Sequence, residues 1–285
     1  MNNSFSVVGG DARNVELAKM LANDGHEVYV YGLEKSTLGE QDVKNIEICN
    51  TLEEALYNGN IVIGPIPFSR DGEILNAPLS NNVIEIEDFA SWLDNKALFA
   101  GSISDDFYNI VKNVKVVVTD LMKIEELAVL NIIATAEGAI SQIIENTDFN
   151  LQSSNVLIVG FGRIGKILSN KLRLLGANVT CSARKQTDLA WIEAYGYKAM
   201  DTFNLENLEE YNIIINTVPH MIFGKDQLEK INKSCLLLEL ASRPGGFDLE
   251  TIENLGLNYV PALGLPGKVA AKSSAGFIKD CIYYK

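Results

Sequence analysis

Asn155-Val-Leu-Ile-Val-Gly160-Phe-Gly162-Arg163-Ile164-Gly165 decides the fold. Five residues that open this stretch are apolar after the first, which reads as a buried parallel strand. Lys166-Ile-Leu-Ser-Asn-Lys-Leu-Arg-Leu-Leu175 then carries apolar residues at helical spacing, and Gly176 ends it. The three glycines therefore fall at a strand-to-helix turn, where a dinucleotide pyrophosphate is held. Gly160 allows the tight turn, Gly162 lets the backbone approach the phosphates, and Gly165 lets helix pack on strand. Arg163 and Ile164 stand in the first helical turn, whose free N–H groups and partial positive charge favour an anion.

The next strand, Ala177-Asn-Val-Thr-Cys-Ser182, leads into Ala-Arg184-Lys185. An NAD site carries Asp or Glu here, about 20 residues past the first glycine, for the ribose 2′-hydroxyl. No carboxylate is present to repel a 2′-phosphate. Ser182, Arg184 and Lys185 offer a hydroxyl and two cations, so the expected cofactor is NADP.

Outward from this core, alternating strands and helices continue in both directions. Ahead lie strands at 4–8, 26–31, 60–64, 97–100 and 114–118, which make a small doubly wound, flavodoxin-like sheet. A long helix spans about 121–146. Beyond the fingerprint, strands are expected near 197–200, 212–216, 234–240 and 257–260. A closing helix at 271–284 returns to the first domain. The expected division is residues 1–120 with 271–285 as a substrate domain, 121–150 as interdomain helix and linker, and 151–270 as an NADP-binding Rossmann domain.

A chain of 285 residues holds two domains of ordinary size. Its net charge of −13 disfavours nucleic acid and anionic membrane as partners. The N-terminus lacks basic residues and an apolar run, so no signal peptide is expected. The stretch 127–144 is interrupted by Asn131, Thr135, Glu137 and Gln142, which suits a buried interdomain helix better than a membrane span. Four scattered cysteines and two histidines give no metal site and suit the cytoplasm.

Ligands bind at the carboxyl ends of strands in such sheets. The loops 9–13, 64–70, 160–165, 216–220 and 241–246 occupy those ends, and a cleft between facing domains would be the active site. Arg13 follows Gly9-Gly10 at a helix start. Ser69 and Arg70 follow Pro65-Ile-Pro67. Asn216, Thr217, Val218 and Pro219 could contact the nicotinamide. His220 could move a proton near neutral pH. Arg243 lies just past a strand, where a substrate carboxylate is held in two-domain D-hydroxyacid dehydrogenases. Asn131, Thr135 and Glu137 form a polar stripe on an apolar helix, with Glu137 as a cleft-facing carboxylate. Lys268 follows a Pro-Gly turn.

Gly9-Gly-Asp-Ala-Arg13, Asn131-Ile-Ile-Ala-Thr-Ala-Glu-Gly-Ala-Ile140, Leu240-Ala-Ser-Arg-Pro-Gly-Gly-Phe-Asp248 and Ala262-Leu-Gly-Leu-Pro-Gly-Lys-Val269 accompany the fingerprint. Together they resemble the A-subunit family of dipicolinate synthase over essentially the whole chain. Ala271 departs from the pattern, where that family is expected to carry proline. The resemblance implies NADP-dependent oxidation, with dehydration, of a dihydro- or hydroxytetrahydropyridine-2,6-dicarboxylate to dipicolinate in the mother cell of a sporulating bacterium. Glu137, His220 and Arg243 would then be catalytic. Arg13, Ser69, Arg70, Asn131, Thr135 and Lys268 would bind the cyclic dicarboxylate. A flavoprotein-like B-subunit of dipicolinate synthase and a homo-oligomeric state are also implied. Two other readings use the same architecture: a D-2-hydroxyacid dehydrogenase, disfavoured by the absence of histidine in 255–285, and a non-catalytic NADP sensor, disfavoured by Arg13, Arg243 and Lys268.

Overall fold

The computed structural model describes residues 3–36, 38 and 44–284. The chain divides into two compact units, Met1–Asn131 with Pro266–Lys285, and Ile132–Leu265. Among the described residues each unit holds a six-stranded parallel sheet.

The first unit runs β1 (Ser4–Val8), α1 (Ala12–Asn23), β2 (Glu27–Tyr31), β3 (Ile46–Ile48), α2 (Leu52–Asn58), β4 (Ile61–Ile63), α3 (Ile86–Ser91), β5 (Lys96–Ala100), α4 (Asp105–Ile110) and β6 (Val116–Asp120). Its sheet order is β3-β2-β1-β4-β5-β6. The five strands expected from sequence stand in the flavodoxin-like order 2-1-3-4-5. The sixth, β3, was not expected. It is a three-residue edge strand whose side chains are mostly exposed, so it has no buried face to show as a pattern.

Next comes α5 (Glu125–Glu145), which crosses the boundary between the units. Leu127 is buried with β1 and α1 residues, whereas Ala136, Ala139 and Ile143 are buried with β-strand residues of the second unit. By length and composition α5 could cross a membrane, and half of its most apolar window is buried in protein.

The second unit runs β7 (Asn155–Val159), α6 (Arg163–Leu174), β8 (Asn178–Ala183), α7 (Gln186–Ala194), β9 (Lys198–Asp201), β10 (Ile213–Asn216), α8 (Lys225–Leu228), β11 (Leu236–Glu239), α9 (Leu249–Leu255) and β12 (Asn258–Pro261). The order β12-β11-β10-β7-β8-β9 is the dinucleotide-binding arrangement, with its switch point between β7 and β10. Val156, Leu157, Ile158 and Val159 are all fully buried. A parallel strand covered on both faces needs this unbroken apolar run.

Two helices follow, α10 (Leu265–Val269) and α11 (Ala271–Tyr283). Ala275, Ile278 and Ile282 of α11 join the core of the first unit beside α1. Asp24, at the end of α1, accepts hydrogen bonds from Lys279 Nζ and Tyr283 Oη, each at 2.7 Å. Those contacts hold its carboxyl below the usual carboxylate range.

Candidate functional site: a dinucleotide edge on the second unit

The β7–α6 turn is built as the sequence requires. Gly160 has φ +101°, and a Cβ there would run into the Thr217 hydroxyl. A Cβ on Gly165 would collide with the Gly160 carbonyl oxygen, so strand and helix approach closely only because this residue is glycine. Gly162 differs. A Cβ on it would meet no protein atom within 4 Å, so packing does not demand glycine. Glycine here suits the helix N-cap and leaves the backbone open to a ligand. Gly162 also caps α6 without a side-chain hydrogen bond, and the first turn carries no acidic residue. A helix start with no side-chain cap and no acidic residue favours an anion. These features fit a dinucleotide pyrophosphate.

At the end of β8 the structure corrects one expectation. Ser182 is fully buried, and its hydroxyl shares a hydrogen bond with Thr202 at 2.9 Å. Enclosed and engaged by Thr202, this hydroxyl is not presented to a 2′-phosphate. Arg184 and Lys185 are exposed at the strand end, and Lys185 caps α7 with no side-chain hydrogen bond of its own.

The loops after β10 and β11 form one hydrogen-bonded assembly. The Thr217 hydroxyl donates to the Val159 carbonyl at 2.8 Å, bracing the strand just before Gly160. Asn216 is fully buried. Its Nδ2 donates to the Val218 carbonyl at 2.9 Å and to Glu239 Oε1 at 2.7 Å, while its Oδ1 accepts from the Val218 N–H. Asn216 and Thr217 therefore shape this edge, and their side chains are committed to protein partners. Val218 is half-buried, and Pro219 and His220 are exposed on the same loop. Phe223 N–H and Ile222 N–H both donate to the Gly246 carbonyl, which ties the His220 loop to the Arg243 loop. Arg243 is exposed on that second loop.

Glu239 was missed by sequence reading. Only 4 % exposed, it accepts from Asn216, from the Ala241 N–H at 2.9 Å and from the Gly246 N–H at 2.7 Å. Burial pushes its carboxyl above the usual range, and the N–H donors pull against that. The signal was a carboxylate ending the apolar run Cys235-Leu-Leu-Leu-Glu239, costly in a buried strand unless donors surround it.

Other expected site residues lie elsewhere. Glu137 is more than half exposed and pairs with Lys171 at 3.0 Å. Lys171 lies eight residues into α6, about 12 Å along the helix from its start. The expected polar stripe also fails on geometry, because residues two apart on a helix do not share a face. Asn131 and Thr135, four apart, do; Asn131 is buried and Thr135 half-buried.

In the first unit Arg13 is 5 % exposed. Its Nε and Nη2 donate to the two carboxylate oxygens of Asp11, each at 2.9 Å, and Nη2 also donates to the Ile66 carbonyl. Asp11 caps α1 by accepting from the Arg13 N–H. A Cβ on Gly267 would strike the Asp11 carboxylate, so the segment bearing exposed Lys268 packs against the same helix start. Ser69 is spent on its own turn, donating to the Ile74 carbonyl at 2.6 Å and accepting from the Gly72 N–H at 2.9 Å. Arg70 is exposed and lines a surface hollow with Lys35, Asn76 and Asn82.

Known proteins carry the same two parts. Residues 4–122 match the family model of the N-terminal domain of the dipicolinate synthase A-subunit. Residues 134–246 match that of the D-isomer specific 2-hydroxyacid dehydrogenase NAD binding domain. The dipicolinate synthase A-subunit of Bacillus subtilis (strain 168) is 30% identical over 283 residues, covering 98% of this chain and 94% of that protein. The crystal structure of the dipicolinate synthase A-subunit from Bacillus halodurans superposes with a TM-score of 0.87 at 26% identity, over 100% of this chain and 98% of that one. That of the Bacillus subtilis protein gives 0.83 at 29% identity, over 100% and 95%. The second unit is a dehydrogenase-type domain for a nicotinamide dinucleotide, and the chain belongs to the dipicolinate synthase A-subunit family.

Proposed function

We propose that this chain is an NADP-dependent oxidoreductase that converts a dihydropyridine-2,6-dicarboxylate, or its hydroxylated tetrahydro precursor after loss of water, into pyridine-2,6-dicarboxylate. The observation that carries the cofactor choice is the β8 end, where exposed Arg184 and Lys185 stand and no carboxylate does. The observation behind the substrate is the likeness to the dipicolinate synthase A-subunit over almost the whole chain.

A nicotinamide dinucleotide held at the Gly160–Gly165 turn would supply the hydride acceptor for oxidation of a ring carbon, with one proton lost as the ring becomes aromatic. Arg243, held on its loop at the β11 end, anchors one ring carboxylate by a charge-assisted fork. His220, on the adjoining β10 loop, takes up the departing proton. The hydrogen-bonded edge formed by Asn216, Thr217 and Glu239 fixes both loops beside the pyrophosphate turn. Aromatisation makes the reaction strongly downhill, so alignment of ring and nicotinamide is what the protein must supply.

The relatives are named as one of the subunits of a synthase, which implies a companion, the B-subunit. The reading extends to a chain that works beside that companion in the cytoplasm of the mother cell during sporulation, as a homo-oligomer. The deciding experiment is an assay of the purified chain on freshly made lysine-pathway aldolase product, with NADP or NAD, with and without the B-subunit. Formation of reduced NADP and the aromatic dicarboxylate is expected. No turnover under any of the four conditions overturns the reading.

A further inference from the structure

Gly245 and Gly246 have no side chains with which to fix their end of the loop, and glycine loses more conformational freedom on folding than any other residue. Yet Gly245-Gly246 holds Arg243 at the edge where a ring carboxylate is to be met. Glu239 supplies what the loop lacks. Its two carboxylate oxygens accept the N–H groups at both ends of the loop, Ala241 and Gly246, and the Asn216 amide from the neighbouring loop. Asn216 in turn closes a ring of hydrogen bonds with Val218, and Thr217 braces Val159 beside the glycine turn. The loop is folded down onto this pair. A Cβ on Gly245 would stand 2.8 Å from Glu239 Oε2, and one on Gly246 would strike the Asn216 amide. The two glycines are therefore demanded by Glu239 and Asn216.

We propose that Glu239 is the positioning residue of the nicotinamide half of the site: its carboxylate clamps loop 241–246 at both ends and couples it to loop 216–219. The chemistry requires a carboxylate. Every hydrogen-bonded partner is an N–H donor, so both oxygens must accept. Glutamine would keep the shape but turn an NH2 group toward a donor, leaving one buried N–H unsatisfied.

The proposal takes the dehydrogenase reading of the strand-end loops as given, and its test separates the two. The full chain is compared with Glu239→Gln, Asn216→Ala and Gly246→Ala by amide hydrogen exchange. Binding of 2′-phospho-ADP-ribose, which lacks only the nicotinamide, and of reduced NADP is measured alongside. In Glu239→Gln, exchange across 241–247 should quicken at least tenfold while β7, β8 and α6 keep their protection. Affinity for reduced NADP should fall about tenfold with that for 2′-phospho-ADP-ribose unchanged. On the dicarboxylate, kcat should fall more than the KM of the dinucleotide rises. Gly246→Ala, which leaves Glu239 in place but displaces Asn216, should give the same local pattern, and it decides the matter if Glu239→Gln does not fold. Unchanged exchange across 241–247, or equal loss of both affinities with a lowered melting temperature, overturns the positioning role. Failure to turn over the dicarboxylate, with the exchange pattern as expected, overturns the substrate reading alone.

Discussion

The Ser182 hydroxyl is joined to the Thr202 hydroxyl at 2.9 Å inside the sheet, with both residues less than 10 % exposed. In the proposed NADP reading, Arg184 and Lys185 alone are left to recognise the 2′-phosphate. Arg184→Ala should weaken NADP binding ten- to a hundredfold, about 1.5–3 kcal/mol for a charge-assisted contact, and leave NAD binding unchanged. Ser182→Ala should cost about 1–2 kcal/mol of stability through the orphaned Thr202 hydroxyl and leave the NADP to NAD ratio as it was. Calorimetric titration with both cofactors reads the affinities, and denaturant unfolding reads the stability. An Arg184→Ala variant with undiminished preference for NADP removes this account of selectivity.

Gly165→Ala places a methyl group against the Gly160 carbonyl. The helix must shift away from β7, at a cost of about 1–3 kcal/mol for overpacking. Dinucleotide affinity should drop with it, because the donors at the α6 start move. Gly162→Ala has open space around its Cβ and should keep the melting temperature, yet lose dinucleotide affinity. Equal melting with equal affinity in Gly162→Ala would show that no ligand approaches there.

Arg243 and Arg13 should respond differently to the same substitution. Arg243→Leu removes an exposed side chain, so stability should change by no more than about 0.5 kcal/mol. Substrate KM should rise ten- to a hundredfold. Arg13→Leu strips Asp11 of its buried partner and should destabilise the first unit by about 2–3 kcal/mol. Thermal melting beside steady-state kinetics distinguishes the two.

Asp24 links acid sensitivity to α11. Its folded pKa lies below the ordinary 3.8, through Lys279 and Tyr283. The stabilisation it gives is thus present above the unfolded value and is lost as pH falls through the folded one. The melting-temperature gap between the native chain and Asp24→Asn should be constant from neutral pH to about pH 5 and close below about pH 4. A gap that widens on acidification has the wrong sign.

Much of the cofactor edge was legible because β7, α6 and β8 are local. Glycine spacing, strand and helix all lie within thirty residues, and each residue type has one physical reason. What escaped depends on partners distant in sequence. Whether Ser182 faces ligand or interior is decided by Thr202, twenty positions on. Glu239 draws its meaning from Asn216, Ala241 and Gly246, donors that only the folded edge brings together. Arg13 reads as an anion anchor until Asp11, two residues back, is seen to fork onto it. Glu137 could have been placed from its spacing alone, since it stands two residues from Thr135 and must face another way.

The first unit is closed by α11, which is made only after the entire second unit. On the ribosome the dinucleotide domain can therefore complete its core while α1 still waits for its partner. Residues 1–131 emerge first but finish last, and during that interval the α1 face later covered by Ala275, Ile278 and Ile282 is bare apolar surface. Chaperone dependence during synthesis should accordingly track the first unit, and a stall in translation within residues 132–265 should leave a nascent chain prone to aggregation through α1.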